Sequence, residues 1–215
     1  MPEKPSAGVP VGRLFAEGRG KGTMLLWLIM FTNLVVLYFL SQWLPRVFTA
    51  IGFSQTDAIW IGTTLQIGGA IGTLFLGWMI GRHGYIRVLT SSFACGVIAV
   101  AAIGQEMSIT VLFVVVFVAG FCIVGGQAGL NALAATFYPT DLRSTGVGYA
   151  LGIGRVGGIV AQPVAGGLVD GGWMARQLLL AAAIPAAVTV AGLVGMGRQL
   201  KARKKRQDAA AAAGR

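Results

Sequence analysis

A single arginine, Arg155, stands in the middle of an apolar, glycine-rich stretch, 145–169, that contains no acidic residue. A guanidinium at membrane depth costs several kcal/mol unless it faces a protein interior, so its expected chemistry is functional anion binding. The alternative is a structural role, in which it bonds neighbouring carbonyl groups. Arg155 lies roughly 15 Å from the start of the stretch, too deep for its side chain to reach the membrane surface easily. Two G-x-x-x-G patterns, 148–152 and 154–158, predict close helix packing around it.

Uncharged polar residues form further stripes at helical spacing. Gln162 follows Arg155 by two turns and therefore falls on the same face. The simplest role for any one such residue is an interhelical hydrogen bond worth about 0.6 kcal/mol. Polar stripes on four stretches together favour a shared hydrophilic cavity. The other stripes contain Tyr38 in the first stretch, Gln66 in the second, and Gln127 and Asn131 in the fourth.

Other chemistry finds little support in the residue pattern. No carboxylate lies inside any apolar stretch, although a proton relay or a cation site would need one. The single His83 and the separate Cys95 and Cys122 lack metal-ligand spacing, and no nucleophile arrangement is present. The segment 152–157 matches a dinucleotide-binding G-x-G-x-x-G, but the strand and βαβ unit that this motif requires are missing. We therefore expect no enzyme activity, no cofactor and no metal site.

The composition identifies the elements that must position these residues. Hydrophobic residues make up 55% of the 215 residues, charged residues only 11%, and the mean hydropathy is +0.75. Soluble domains carry about 25% charged residues, so the chain is predicted to be an integral membrane protein. Its net charge of +10 is concentrated at the chain ends and in short loops. That distribution indicates membrane topology and lipid contact rather than nucleic-acid binding.

Six apolar stretches predict an all-α protein with six transmembrane helices. All but three of the 17 Lys and Arg residues lie on the side of both termini, which the positive-inside rule places in the cytoplasm. The exceptions are Arg155 and, on the far side, Arg46 and Arg176. The predicted parts are a cytoplasmic N-terminal segment, 1–22, a six-helix domain, 23–197, and a basic cytoplasmic tail, 198–215. The stretches are 23–44, 58–80, 88–103, 109–133, 145–169 and 177–196.

Two segments resemble a known family. GWMIGRHGYIR, at 77–87, resembles the loop signature of the major facilitator superfamily, in the copy between its eighth and ninth helices. FYPTDLRSTGVGYALGIGR, at 137–155, is similar to the start of the eleventh helix of aromatic acid/proton symporters. The entry 22–27 and the exit 41–45 resemble that family's seventh helix. The resemblance covers roughly 11–198 and implies helices seven to twelve, one half of the fold, built as a 3+3 inverted repeat.

The resemblance also implies residue roles. Arg155 would bind the carboxylate of an aromatic acid, and the helices that carry the polar stripes would face the cavity. Gly81 departs from the loop signature, in which an aspartate is usual at this position, so the charge relay with Arg82 and Arg87 is in question. The coupling acids of the family lie in its first helix, which this chain lacks. The loop and conformational positions are Gly77, Arg82, Gly84, Arg87, Asp141 and Arg143.

The predicted function is secondary active transport of small aromatic carboxylates, similar to benzoate or hydroxybenzoate, by proton symport. The chain would act as the C-terminal half of a multi-pass carrier in the bacterial inner membrane. Six helices alone would expose the polar cavity face to lipid, so we expect pairing with an N-terminal six-helix half or a homodimer. The alternative is a membrane scaffold that does not transport, or an inactive fragment of a transporter.

Overall fold

The structure, a computed structural model, describes residues 11–16, 18–105 and 107–213. Residues 1–10 of the predicted N-terminal segment, and Glu106, lie outside the described residues. A π-helical segment, Gly120–Val124, joins two of the helices without a break. The α-helices in chain order are α1 (Gly12–Phe15), α2 (Gly20–Ala50), α3 (Gln55–His83), α4 (Tyr85–Ile103), α5 (Ile109–Ala119), α6 (Gly125–Phe137), α7 (Arg143–Asp170) and α8 (Ala175–Ala213).

The all-α prediction is confirmed, and five helical spans are long and apolar enough to cross a membrane. The predicted stretch 88–103 gains its length from three preceding residues, because α4 begins at Tyr85. α7 has 28 residues and is long enough to span, but its glycines and Arg155 make it less apolar than the other spans. α8 continues through the basic stretch predicted as a tail and ends at Ala213. The five spans are Gly20–Ala50, Gln55–His83, Tyr85–Ile103, Ile109–Phe137 and Arg176–Arg203.

Local signals explain where α3 begins and ends. The Ser54 side chain accepts a hydrogen bond from the Asp57 backbone N–H at 3.1 Å and donates to its carboxylate at 2.7 Å, which caps the helix. At the other end, Gly84 has a φ of +82° and separates α3 from α4. Most side chains strain in that conformation, so this tight reversal depends on glycine.

The π segment allows the fourth span to approach α3 unusually closely. A Cβ on Gly120 would overlap the carbonyl group of Leu65 on α3. One turn later, a Cβ on Gly125 would fall 2.7 Å from the backbone of Gly72. Two helices can come this close only where small residues face each other, so the glycines on both helices determine the crossing.

The packing of the five spans and α7 follows an inverted repeat. α2 packs most extensively against α7 and α8, and the helix formed by α5, the π segment and α6 packs in the corresponding way against α3 and α4. α4 and α8, the third member of each half, pack against each other. Exchanging the first three of these helices with the last three therefore preserves the main contacts, as the 3+3 arrangement predicts.

Candidate functional site

Arg155 lies on the side of α7 that faces away from the bundle. The opposite side packs on α2 through Gly154, Gly157 and Gly158, where an added Cβ would meet the backbone or side chains of that helix. Arg155 is exposed in the isolated chain. Within the part of the chain that the structure describes, it forms no hydrogen bond or ion pair, so the alternative of bonding to neighbouring carbonyls is not observed.

The two small-residue patterns of α7 behave differently. Gly154 and Gly158 pack closely on α2, as predicted. A Cβ on Gly148 or Gly152 would have no described atom within 4 Å, so the prediction that this pair also packs is not met inside this chain. The difference arises because these two glycines share the outward side of α7 with Arg155. That side is smooth and open next to the guanidinium.

Gln162 is held by a residue that the sequence interpretation did not place in the site. Its side-chain oxygen accepts a hydrogen bond from the indole N–H of Trp43 at 3.0 Å. Its amide nitrogen is buried and has no partner among the described residues. Trp43 lies near the expected membrane surface, where interfacial anchoring is the simpler interpretation of a tryptophan, although its ring could also contact a substrate ring. Gln162 stands in an apolar stretch without a hydrogen-bond partner in its own helix. That isolation was the sequence signal that a neighbouring helix supplies a hydrogen-bond donor.

Tyr38 brings an aromatic ring to the turn of α7 that follows Arg155. The ring lies against Gly158, where a Cβ would overlap it. The side chain is still 37% exposed. Arg155 and Tyr38 therefore occupy the same level of the α2–α7 pair, and both remain open to an incoming group.

A chain of amides connects α2 to α6. The Asn33 side-chain N–H donates to the Gln127 oxygen, and the Gln127 nitrogen donates to the Asn131 oxygen at 2.9 Å. Asn33 is 1% exposed, and its own oxygen is buried without a partner among the described residues. The structure thus brings together Gln127 and Asn131, both predicted, with Asn33, which the sequence interpretation left out of the site.

The amide chain and Arg155 lie on different sides of α2 at a similar level. The Gln127 nitrogen is 4.0 Å from the Met30 sulfur. The Met30 carbonyl oxygen is 3.2 Å from the position that a Cβ on Gly154 would take, and Gly154 precedes Arg155. Met30 therefore lies between the two polar groups.

Gln66 is not brought to this cluster. It is exposed on α3. Thr63 and Thr73, which share a helical face with Gln66, donate hydrogen bonds to carbonyl groups of their own helix at 2.9 Å. The two threonine hydroxyls therefore bond within α3, and of these three side chains only that of Gln66 remains available for contacts outside the helix.

The predicted loop positions lie at the end of the bundle that carries the termini. The Arg82 guanidinium lies over the Trp78 ring, 4.3 Å from its centroid, a cation–π contact. Among the described residues, neither Asp141 nor any arginine of this loop region forms an ion pair. Gly77, Gly84, Arg87, Asp141 and Arg143 are all exposed.

This geometry can bind an anion with an apolar ring. It offers an uncompensated guanidinium, a partly exposed aromatic ring and a nearby set of amides. The described residues include no group of three or more His, Cys, Asp or Glu side chains that could hold a metal ion.

Comparison with known proteins agrees with the fold. Residues 26–214 match the family model of the Major Facilitator Superfamily. The chain is 38% identical to a 4-hydroxybenzoate transporter, PcaK, of Pseudomonas putida, over 86% of this chain and 41% of the relative. It is 35% identical to a gallate transporter of the same species, over 87% and 42%. It is 36% identical to a 3-(3-hydroxy-phenyl)propionate transporter of Escherichia coli, over 89% and 47%.

The chain spans less than half the length of these curated relatives. The match begins inside α2 and continues into the C-terminal part of α8, and the helical packing is that of one half of the fold. The resemblance deduced from the loop 77–87 and from the stretch around Arg155 is confirmed. This multi-pass membrane protein belongs to the Major Facilitator Superfamily, a family of transporters.

Proposed function

We propose that this chain is the C-terminal half of a carrier for small aromatic carboxylates, with Arg155 as the residue that binds the substrate carboxylate. The observation that carries the proposal is an exposed guanidinium at the middle of a membrane-length helix, without an ionic partner among the described residues. The relatives named for 4-hydroxybenzoate, gallate and 3-(3-hydroxy-phenyl)propionate support the substrate class.

The physical reason is charge compensation. An arginine that is enclosed at membrane depth by the assembled carrier would require a counter-charge, and the apolar stretches of this chain contain no Asp or Glu to provide one. A substrate carboxylate accepts two parallel hydrogen bonds from the guanidinium fork, and the low local dielectric strengthens that pair. Binding of the substrate would therefore remove the cost that the empty site carries.

The neighbouring residues would contact the rest of the substrate. Tyr38 offers its partly exposed ring to the aromatic ring, which favours offset or edge-on packing. Gln162, held by Trp43, has a buried and unpaired amide nitrogen, which would donate to an acceptor oxygen of the substrate only after a local rearrangement exposed it. Gln127 and Asn131 would add a polar wall on the other side of α2, and the exposed Gln66 would face the cavity from α3.

The other half of the cavity would come from an N-terminal six-helix half or from a second copy. The outward faces of α3 and α7 carry large exposed apolar side chains, including Leu74 at 78% and Ile159 at 69% exposure. Their covering by another six-helix unit would also place Arg155 inside the assembly. Proton coupling would use carboxylates of that unit, and the positive-inside distribution would place both termini in the cytoplasm of a bacterial inner membrane.

The test is uptake of radiolabelled 4-hydroxybenzoate by cells or proteoliposomes that contain this chain together with a candidate N-terminal half. Arg155→Gln is expected to lower uptake at least a hundredfold, because a desolvated charge pair is worth about 3 kcal/mol or more. Arg155→Lys should retain only a small part, since lysine cannot form the bidentate pair. Arg198→Gln is the matched control at the cytoplasmic end. Wild-type uptake by a well-inserted Arg155→Gln variant would refute the assignment.

A further inference from the structure

A separate cavity opens at the end of the bundle opposite the termini. It lies between the end of α2, the end of α4, the beginning of α5 and the turn between α7 and α8, and its volume is about 1380 Å³. Small-molecule sites usually measure about 300–1,000 Å³, so an aromatic acid fits with water to spare. Buried apolar side chains, including Phe48, Ile103 and Leu112, form its floor.

Both basic residues of this end of the chain line the cavity. Arg46, near the end of α2, and Arg176, at the beginning of α8, are the two arginines that the sequence places on the side opposite the termini. Lys and Arg are disfavoured in short loops on that side. Arg46 and Arg176 nevertheless line the same cavity. The basic residues at the end that carries the termini are instead spread over several loops and both chain ends. The described lining residues include no acid, and neither arginine forms an ion pair with a described residue.

Aromatic side chains accompany the two charges. Trp43, Phe53 and Trp173 line the cavity, and the Arg46 guanidinium lies 5.4 Å from the centroid of the Trp43 ring. Arginine with indole and phenyl rings on an apolar floor is chemically matched to an anion that carries an aromatic ring.

We propose that this cavity is a second binding site, an outer vestibule that captures aromatic carboxylates before they reach Arg155. The identity of its ligand rests on the proposed function. Trp43 lines the vestibule and also donates its indole N–H to Gln162, which stands two turns, about 10 Å, beyond Arg155 on α7. The Trp43–Gln162 hydrogen bond therefore separates the two sites, with the vestibule on one side and Arg155 on the other.

The experiment uses the purified 215-residue chain in nanodiscs of phosphatidylcholine, with the two vestibule tryptophans, Trp43 and Trp173, retained and phenylalanine at the other three tryptophan positions. The probe is 4-nitrobenzoate, which quenches indole fluorescence, and the uncharged 4-nitrobenzamide is the control ligand. Saturable quenching by the carboxylate alone is expected, and it should weaken as the ionic strength rises. Equal quenching by the amide would overturn the proposal, because the arginines would then contribute nothing.

The variants test the arginines directly. Arg46→Gln with Arg176→Gln should raise the half-saturating concentration of 4-nitrobenzoate roughly tenfold or more, whereas the matched Arg198→Gln should leave it unchanged. The double Lys variant, which keeps both charges, should retain most of the affinity and reports on folding. An unchanged affinity in a folded double Gln variant would refute the vestibule.

Two further outcomes separate the alternatives. If phosphatidylglycerol in the nanodisc abolishes quenching by 4-nitrobenzoate, the cavity is a lipid headgroup site and the proposal fails. Arg155→Gln should lower uptake and leave the quenching intact. If Arg155→Gln lost the quenching, the proposal of a separate vestibule would be wrong, and the role of Arg155 in uptake would stand. If Arg155→Gln kept both uptake and quenching, the assignment of Arg155 as the substrate-binding residue would be wrong, and the vestibule would stand.

Discussion

Replacing Gly157 with alanine should separate α7 from α2 and displace Arg155 with it. The new Cβ would lie 3.1 Å from the carbonyl carbon of Phe31 and nearer still to its oxygen, about 1 Å inside ordinary van der Waals contact. Both groups belong to helix backbones and cannot rotate away, so the two helices must move apart. Overpacking of this kind costs about 1–3 kcal/mol.

Gly152→Ala supplies the matched control on the same helix. It adds the same methyl group at a position with no described atom within 4 Å. The higher helix propensity of alanine favours both variants by about 1 kcal/mol, so that contribution cancels in the comparison. The difference between the two variants should therefore equal the overpacking cost, about 1–3 kcal/mol.

The assay is the thermal midpoint for loss of the monodisperse peak in detergent, measured at one heating rate because unfolding is expected to be irreversible. For a chain of this size each kcal/mol corresponds to about 2–4 °C, so Gly157→Ala should lose stability several degrees below Gly152→Ala. Uptake by the complete carrier should fall in parallel for Gly157→Ala. Equal midpoints for the two variants would refute the close α2–α7 contact.

Three further changes test other contacts. Trp43→Phe keeps an aromatic ring but removes the indole N–H donor. Uptake of 4-hydroxybenzoate should fall several-fold, which corresponds to about 1 kcal/mol. Unchanged uptake would show that the hydrogen bond to Gln162 does not contribute to transport. The hydroxyl oxygens of Thr32 and Thr189 are 2.7 Å apart. Replacing each threonine with valine, singly and together, should show a coupling energy of about 0.6 kcal/mol in a double-mutant cycle of thermal stability. Additive effects of the two replacements would contradict this hydrogen bond. Gly84→Ala forces a positive φ on alanine and should lower the thermal midpoint by the equivalent of about 1 kcal/mol, whereas Gly81→Ala, inside α3, should not.

The helical type and approximate limits of the long apolar helices could be predicted from the sequence, because twenty apolar residues leave the backbone few alternatives in a membrane. Six spans were expected, and five meet the length and hydropathy of a span, because the glycines and Arg155 lower the hydropathy of α7. The depth of Arg155 and the shared face of Gln162 followed from the same helical arithmetic. These predictions depend only on positions within one helix.

Contacts between helices were harder to predict. Asn33 and Gln127 are 94 positions apart, and nothing in either stretch identifies the other as its partner. The donation from Trp43 to Gln162 joins residues 119 positions apart. The two glycine patterns of α7 are indistinguishable as patterns, yet only one faces α2. Which side of a helix meets a neighbour depends on rotation about its axis, and polar stripes determine that rotation only coarsely.

The π segment has a consequence for the phase of the fourth span. A π turn holds one residue more than an α turn, and each residue of an α-helix advances the side chains by about 100°. If all five residues of 120–124 were wound as a regular α-helix instead, everything after them would turn by about that angle. Gln127 and Asn131 would then rotate away from Asn33, although no residue of the amide chain had changed. The extra residue held by the π turn therefore sets the rotation of α6 about its axis, and this rotation directs the amides of Gln127 and Asn131 toward α2.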